Sequence, residues 1–139
     1  MNNRIIDSII ALKNSCSCKE ESIREEFSLS PAEYRGLLAA SPGETVSGGV
    51  LSRKMGLSIS RGSRVIDKLV KKGYVKFSGD SKDRRYVRLQ LTANGLKVRS
   101  KINMLLDECE REIKSKIPKS ELKRFSNSLD KLTLILNSN

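Results

Sequence analysis

The stretch LSRKMGLSISRGSRVIDKLVKKGYVKFSGDSKDRRYVRLQLTANG, residues 51–95, decides the fold. It holds two helical patterns separated by a glycine turn, followed by an alternating hairpin. Ser47 is placed to cap the first helix, with Val46 and Leu51 as its hydrophobic staple, and the helix runs to Met55. Gly56 supplies the left-handed residue that ends it. Ser58 caps a second helix that runs through Lys72 and stops at Gly73. Two short helices joined by a tight glycine turn form a helix-turn-helix. The next segment, YVKFSGDSKDRRYVRLQL at 74–91, reads as a hairpin. Val75 and Phe77 share one face of its first strand, and Val87, Leu89 and Leu91 share one face of its second. Residues 78–85 form its polar tip.

Upstream, LSPAEYRGLLAAS at 29–41 carries several helix-start signals together. Ser30 is the N-cap, Pro31 sits at the first helical position, Glu33 closes a capping box, and Leu29 and Tyr34 form a staple. These predict a helix over 31–40. Nearer the N-terminus, Ile5, Ile6, Ile9, Ile10 and Leu12 fall at helical spacing and predict a short helix. The acidic stretch CSCKEESIREEFS that follows reads as a short helix or a loop. Downstream, Thr92 caps a helix with the stripe Leu96, Val98, Ile102, Leu105, Leu106, Cys109, Ile113 and Ile117, interrupted by Pro118. A last helix carries Leu122, Phe125, Leu129, Leu132 and Leu136. The fold class is therefore mainly α with a small β-hairpin wing (α+β), a winged helix-turn-helix. Residues 1–28 hold an N-terminal dimerisation helix and an acidic connector, 29–92 the winged core, and 93–139 the C-terminal dimerisation helices, all in one compact domain.

The net charge is +11, and its location matters more than its size. Residues 53–101 hold fifteen Lys/Arg against the three acids Asp67, Asp80 and Asp83, so this stretch carries the whole excess. A localised basic face is the electrostatic footprint of a polyanion binder. Aromatic residues make up 4% of the chain and tryptophan is absent, which argues against stacking platforms for single strands.

Other chemistries find little support. The chain has no histidine and no nucleophile–base motif, so it reads as a non-enzyme with no cofactor. Three cysteines without histidine do not make a zinc set, and no metal is expected. Cys16 and Cys18 form a lone C-x-C that raises a redox role, opposed by Glu20 and Glu21, which work against a lowered thiol pKa. GETVSGGV at 43–50 has phosphate-loop glycine spacing but lacks the Lys and Ser/Thr that should follow. No leader pattern and no run long enough to span a bilayer is visible, so a cytoplasmic location without membrane contact is expected.

The second helix of the pair carries the chemistry. Gly62, Val65, Ile66, Leu69 and Val70 lie on one face, and Ser60, Arg61, Arg64, Lys68, Lys71 and Lys72 lie elsewhere. Arginine donates two hydrogen bonds to guanine, and serine adapts as donor or acceptor. Lys68, Lys71 and Lys72, with Lys82 in the hairpin tip, are spaced for backbone phosphates, which position without specifying. A hairpin directly after a helix-turn-helix is a wing. Its tip arginines, Arg84 and Arg85, suit a narrow minor groove, and Asp83 would hold an arginine extended through a salt bridge.

Residues 51–95 resemble the MarR family of winged-helix transcription regulators. The resemblance rests on the G-L-S turn, the D-K-L-x-K-K-G-Y-V helix end, the D-x-x-D-R-R wing and the L-T-x-x-G that opens the next helix. It implies a homodimer built from terminal helices, binding pseudo-palindromic double-stranded DNA, most often as a repressor that answers a small-molecule effector. By that match Ser58, Ser60, Arg61, Ser63 and Arg64 are the recognition positions, Arg85 is the minor-groove arginine and Asp83 its orienting acid. Gly62 stands where the family usually has a β-branched apolar residue, which points to close packing or a bend.

Physical reasoning supports the dimer separately. The stripes containing Ile5, Ile9 and Leu12 and containing Leu122, Phe125, Leu129, Leu132 and Leu136 are too apolar for isolated helices flanking a small core. The alternative reading is a winged helix used for protein contacts or as a non-specific architectural DNA binder.

Overall fold

Serine caps and left-handed turns, more than the lengths of the apolar runs, set where the helices begin and stop. The computed structural model describes residues 4–78 and 88–138, apart from the side chain of Cys18. The elements are α1 (Ile5–Glu26), α2 (Pro31–Ala39), β1 (Val46–Ser47), α3 (Gly48–Lys54), α4 (Ile59–Lys71), β2 (Val75–Ser78), β3 (Arg88–Leu91), α5 (Ala93–Lys116) and α6 (Lys119–Asn137). The backbone falls into two units, Met1–Ser100 and Lys101–Asn139, with α5 running through both. Among the described residues no helix is long and apolar enough to cross a membrane.

In the first unit, the predicted caps form. The hydroxyls of Ser30, Ser47 and Ser58 accept from the backbone N–H groups of Glu33, Val50 and Arg61 at 3.1, 3.2 and 3.3 Å. Thr92 Oγ1 accepts from Gly95 N at 3.0 Å. Gly56 and Gly73 adopt φ of +71° and +78° and end α3 and α4. In both, the residue after the glycine reaches back: Leu57 N donates to Ser52 O and Tyr74 N to Leu69 O.

Two features differ from the sequence expectation. The N-terminal segment is one helix of 22 residues, not a short helix and a connector. Nothing between Ile5 and Glu26 breaks a helix, since the acidic stretch contains neither Pro nor Gly and is rich in Glu, Lys and Arg. The helix ends in the same motif as α3 and α4, with Leu29 N donating to Arg24 O, but the left-handed residue is Ser28 at φ 53°. The second difference is β1. It pairs antiparallel with β3, Val46 opposite Leu89 and Ser47 opposite Arg88, so the sheet has three strands in the order β1-β3-β2.

Leu37, Leu51 and Leu69 are fully buried, and Met55, Ile66, Val75, Leu89, Leu91 and Val98 join them in the core. Val75 and Phe77 do share a strand face, yet only Val75 is buried, while Phe77 is 52% exposed. Val87 lies outside the described residues. In the second unit, Ile102 is fully buried, and α6 contains no buried residue.

Candidate nucleic-acid interface

The geometry of α4 follows from its contact with α3. Gly62 faces Ser52 so closely that a Cβ built on it would stand 1.8 Å from Ser52 Oγ and 2.4 Å from Ser52 Cβ. Ser52 is itself buried, and its hydroxyl donates to Gly48 O at 2.7 Å. The departure at Gly62 is therefore close packing. It lets α3 seat against α4 with Gly62, Ile66 and Leu69 turned inward.

With that face fixed, the opposite one is free. Ser58, Ser60, Arg61, Ser63, Arg64, Lys68 and Lys71 are all exposed. They lie along a 13-residue helix whose first turn contains no acidic side chain. The uncovered amides and the positive end of the helix dipole at that turn favour an approaching anion. Hydroxyls and two guanidinium groups cluster in the N-terminal half, and ammonium groups follow in the C-terminal half.

Lys72, which the sequence spacing offers to a phosphate, is paired within the chain: its Nζ is 2.5 Å from Glu33 Oε2 and 2.5 Å from Ser28 O. The Glu33 side chain is only 4% exposed and that of Lys72 is 35% exposed. A carboxylate taken out of water needs a partner, and Lys72 is that partner. Only the Ser30 half of the predicted capping box forms as read, and the Glu33 carboxylate turns to Lys72.

The wing is described only at its base. Lys82, Asp83, Arg84 and Arg85 lie outside the described residues. At the base, β2 and β3 pair Phe77 with Leu89 and Ser78 with Arg88, which sets where the tip begins. Sequence reasoning overlooks Lys76 and Arg88, both exposed on these strands. Arg88 donates to Thr45 Oγ1 at 3.4 Å. Their signal was the alternation of the strands, which turns every second residue out. It also overlooks Ile59, the exposed first residue of α4.

The base of the wing is held from behind by Gly95. A Cβ there would stand 2.0 Å from Tyr74 O, so the start of α5 lies directly on the backbone between α4 and β2. Thr92 Oγ1 completes that junction by donating to Gly73 O.

Cys16 and Cys18 both fall within α1, and the side chain of Cys18 lies outside the described residues. Cys16 is exposed, and Cys109 is of intermediate exposure. Among the described residues no group of three His, Cys, Asp or Glu is arranged to hold a metal.

The exposed apolar residues concentrate at the two ends of the chain. On α1 they are Ile5, Ile6, Ile10 and Leu12, with Ile9 half-buried, and on α6 they are Phe125, Leu129, Leu134, Ile135 and Leu136. Leu122 and Leu132 are half-buried.

Comparison with known proteins agrees with this geometry. A family model described as MarR family matches residues 27–85. An HTH-type transcriptional regulator of Bacillus subtilis, YfiV, is 44% identical over 48 residues, which are 34% of this chain and 30% of that protein. The fold matches Streptococcus pneumoniae FabT, solved in complex with DNA, with a TM-score of 0.85 at 18% identity over 99% of each chain. It also matches S. aureus MepR in its DNA-binding conformation, with a TM-score of 0.77 at 18% identity over 96% of this chain and 98% of that one. The central segment thus matches the MarR family model, and the chain has the winged helix-turn-helix fold of these solved structures.

Proposed function

We propose that the chain is a sequence-specific transcriptional regulator that binds double-stranded DNA as a homodimer, acting as a signal-responsive repressor on a pseudo-palindromic operator. The observation that carries this reading is the outward face of α4, where Ser58, Ser60, Arg61, Ser63 and Arg64 are exposed together while the opposite face is packed on α3. In this reading the N-terminal half of α4 enters the major groove, and Lys68, Lys71 and Lys82 meet phosphates. Arg84 and Arg85 enter the adjacent minor groove, with Asp83 orienting Arg85. A small-molecule effector would act through its differential affinity for two dimer geometries, only one of which matches the half-site spacing.

Selection of bound duplexes from a random pool, followed by anisotropy titration, tests this. An inverted repeat should emerge with half-sites about 34 Å apart. Arg85→Ala should weaken binding to the selected duplex with unchanged helicity. Lys68→Ala should weaken binding to all duplexes alike and make the salt slope shallower by about one. Equal binding to every sequence would favour the architectural alternative.

The homodimer is supported by the apolar side chains left exposed on α1 and α6, among them Leu134 at 69%. A second copy would cover them, and two-fold symmetry would present two copies of α4 to one face of the duplex. Leu129→Asp combined with Leu136→Asp should give a monomer by sedimentation. Operator affinity should fall by roughly 100-fold or more, because the second half-site is no longer held at high effective concentration. A variant that remains dimeric would place the interface elsewhere.

A further inference from the structure

We infer that Ile59 contacts a thymine methyl group in the major groove and thereby sets one position of the recognised sequence. The inference rests on the DNA-binding reading above and adds to it a residue and a base.

Ile59 opens α4, and Ile59, Gly62, Ile66 and Leu69 follow one another in steps of 3, 4 and 3 residues, the spacing of an inward stripe. It is nevertheless 70% exposed. The reason lies in where α3 meets α4. Their close approach is at Gly62, against Ser52. Ile59 stands almost one turn before that point, beyond the reach of the core. It is held there because Ser58 starts the helix immediately before it, with Arg61 N bonded to the Ser58 hydroxyl.

A single exposed isoleucine is ordinary on a protein surface. This one sits among Ser58, Ser60, Arg61, Ser63 and Arg64, all exposed, in the first two turns of the helix. Ser63 is its neighbour four residues on, along the same flank. The side chain is thus an apolar island in a polar, cationic surface. An isoleucine side chain neither donates nor accepts a hydrogen bond, so it cannot satisfy the edges of guanine, adenine or cytosine. The one apolar group that the major groove of unmodified DNA offers is the thymine C5-methyl. Against that methyl Ile59 buries apolar surface, and against the other edges it only displaces water. Ser63, beside it, can address a polar edge of the same or the adjoining base pair.

The test uses the selected duplex and replaces its thymines with deoxyuridine one at a time, which removes the methyl and nothing else. The wild-type protein should lose about fourfold in affinity at one thymine of a half-site, the effect of one buried methyl. In Ile59→Ser that loss should disappear, with unchanged thermal unfolding because the side chain is exposed. Indifference of the wild type to every uracil, or full retention of the methyl dependence in Ile59→Ser, overturns the inference and leaves the DNA reading intact. Failure to recover any bound duplex overturns both.

Discussion

Gly62→Ala should lower the thermal midpoint by roughly 10 °C, corresponding to about 3 kcal/mol, the upper end of what overpacking costs. Intrinsic propensity points the other way. Alanine in a helix interior is favoured over glycine by about 1 kcal/mol, so an isolated α4 would gain from the change. The packing decides the sign. The new Cβ would meet Ser52 Oγ at 1.8 Å, which a rotamer change could relieve. It would also meet Ser52 Cβ at 2.4 Å and Cα at 3.1 Å, which move only if α3 moves. Displacing α3 disturbs Leu51, fully buried on the same helix. The compensating change is Ser52→Gly, which removes both of the closest atoms. Introduced alone it should destabilise, through helix propensity and the loss of its bond to Gly48 O. Introduced with Gly62→Ala it should restore most of the lost stability, a favourable coupling in a double-mutant cycle. All four proteins should be compared at one concentration, since association shifts apparent stability. A midpoint that rises in Gly62→Ala would show that the two helices do not approach this closely.

Gly62 also marks where the sequence was legible and where it was not. Everything governed by a local rule could be read directly. Ser30, Ser47, Ser58 and Thr92 cap helices, and Gly56 and Gly73 end them, because each needs only its own few neighbours. The exposed face of α4 was legible from helical periodicity. What escaped depends on contacts distant in sequence. β1 is two residues long and exists only because Leu89 and Arg88 lie beside it, about forty residues later in the chain. The continuity of α1 was obscured by polarity: an acidic run reads equally as helix or loop when no apolar stripe marks its face. Phe77 and Ile59 fit apolar patterns yet lie exposed, because a pattern gives the facing of a residue and not how far the core extends. Lys72 matched the spacing of phosphate ligands, and nothing local indicated a carboxylate thirty-nine residues away.

That carboxylate leads to a second large effect. Lys72→Met should destabilise by about 2–3 kcal/mol, somewhat less than the ~3–5 kcal/mol of breaking a fully buried pair, because water reaches Lys72. The cost arises on the other side of the pair. Glu33 is 4% exposed, and without the ammonium its charge is held in the protein interior by little more than the N-terminal end of α2. The Ser28 carbonyl loses a donor in the same step, at a residue already held at φ 53°. If the cost is the unpaired charge, removing that charge should relieve it. Glu33→Gln in the Lys72→Met background should therefore recover more than half of the loss, although Glu33→Gln alone destabilises. Denaturant unfolding of the three variants measures this. The DNA titration supplies an independent readout that a merely weakened fold would not mimic. Lys68→Ala should reduce the salt slope by about one, whereas Lys72→Met should leave it unchanged under conditions where the variant is folded. The reverse pattern, full stability with a shallower slope, would return Lys72 to the phosphate contacts and leave Glu33 buried without its partner. Because Lys72 joins the end of α4 to Ser28 and Glu33, the ion pair fixes α4 to the segment that links α1 and α2.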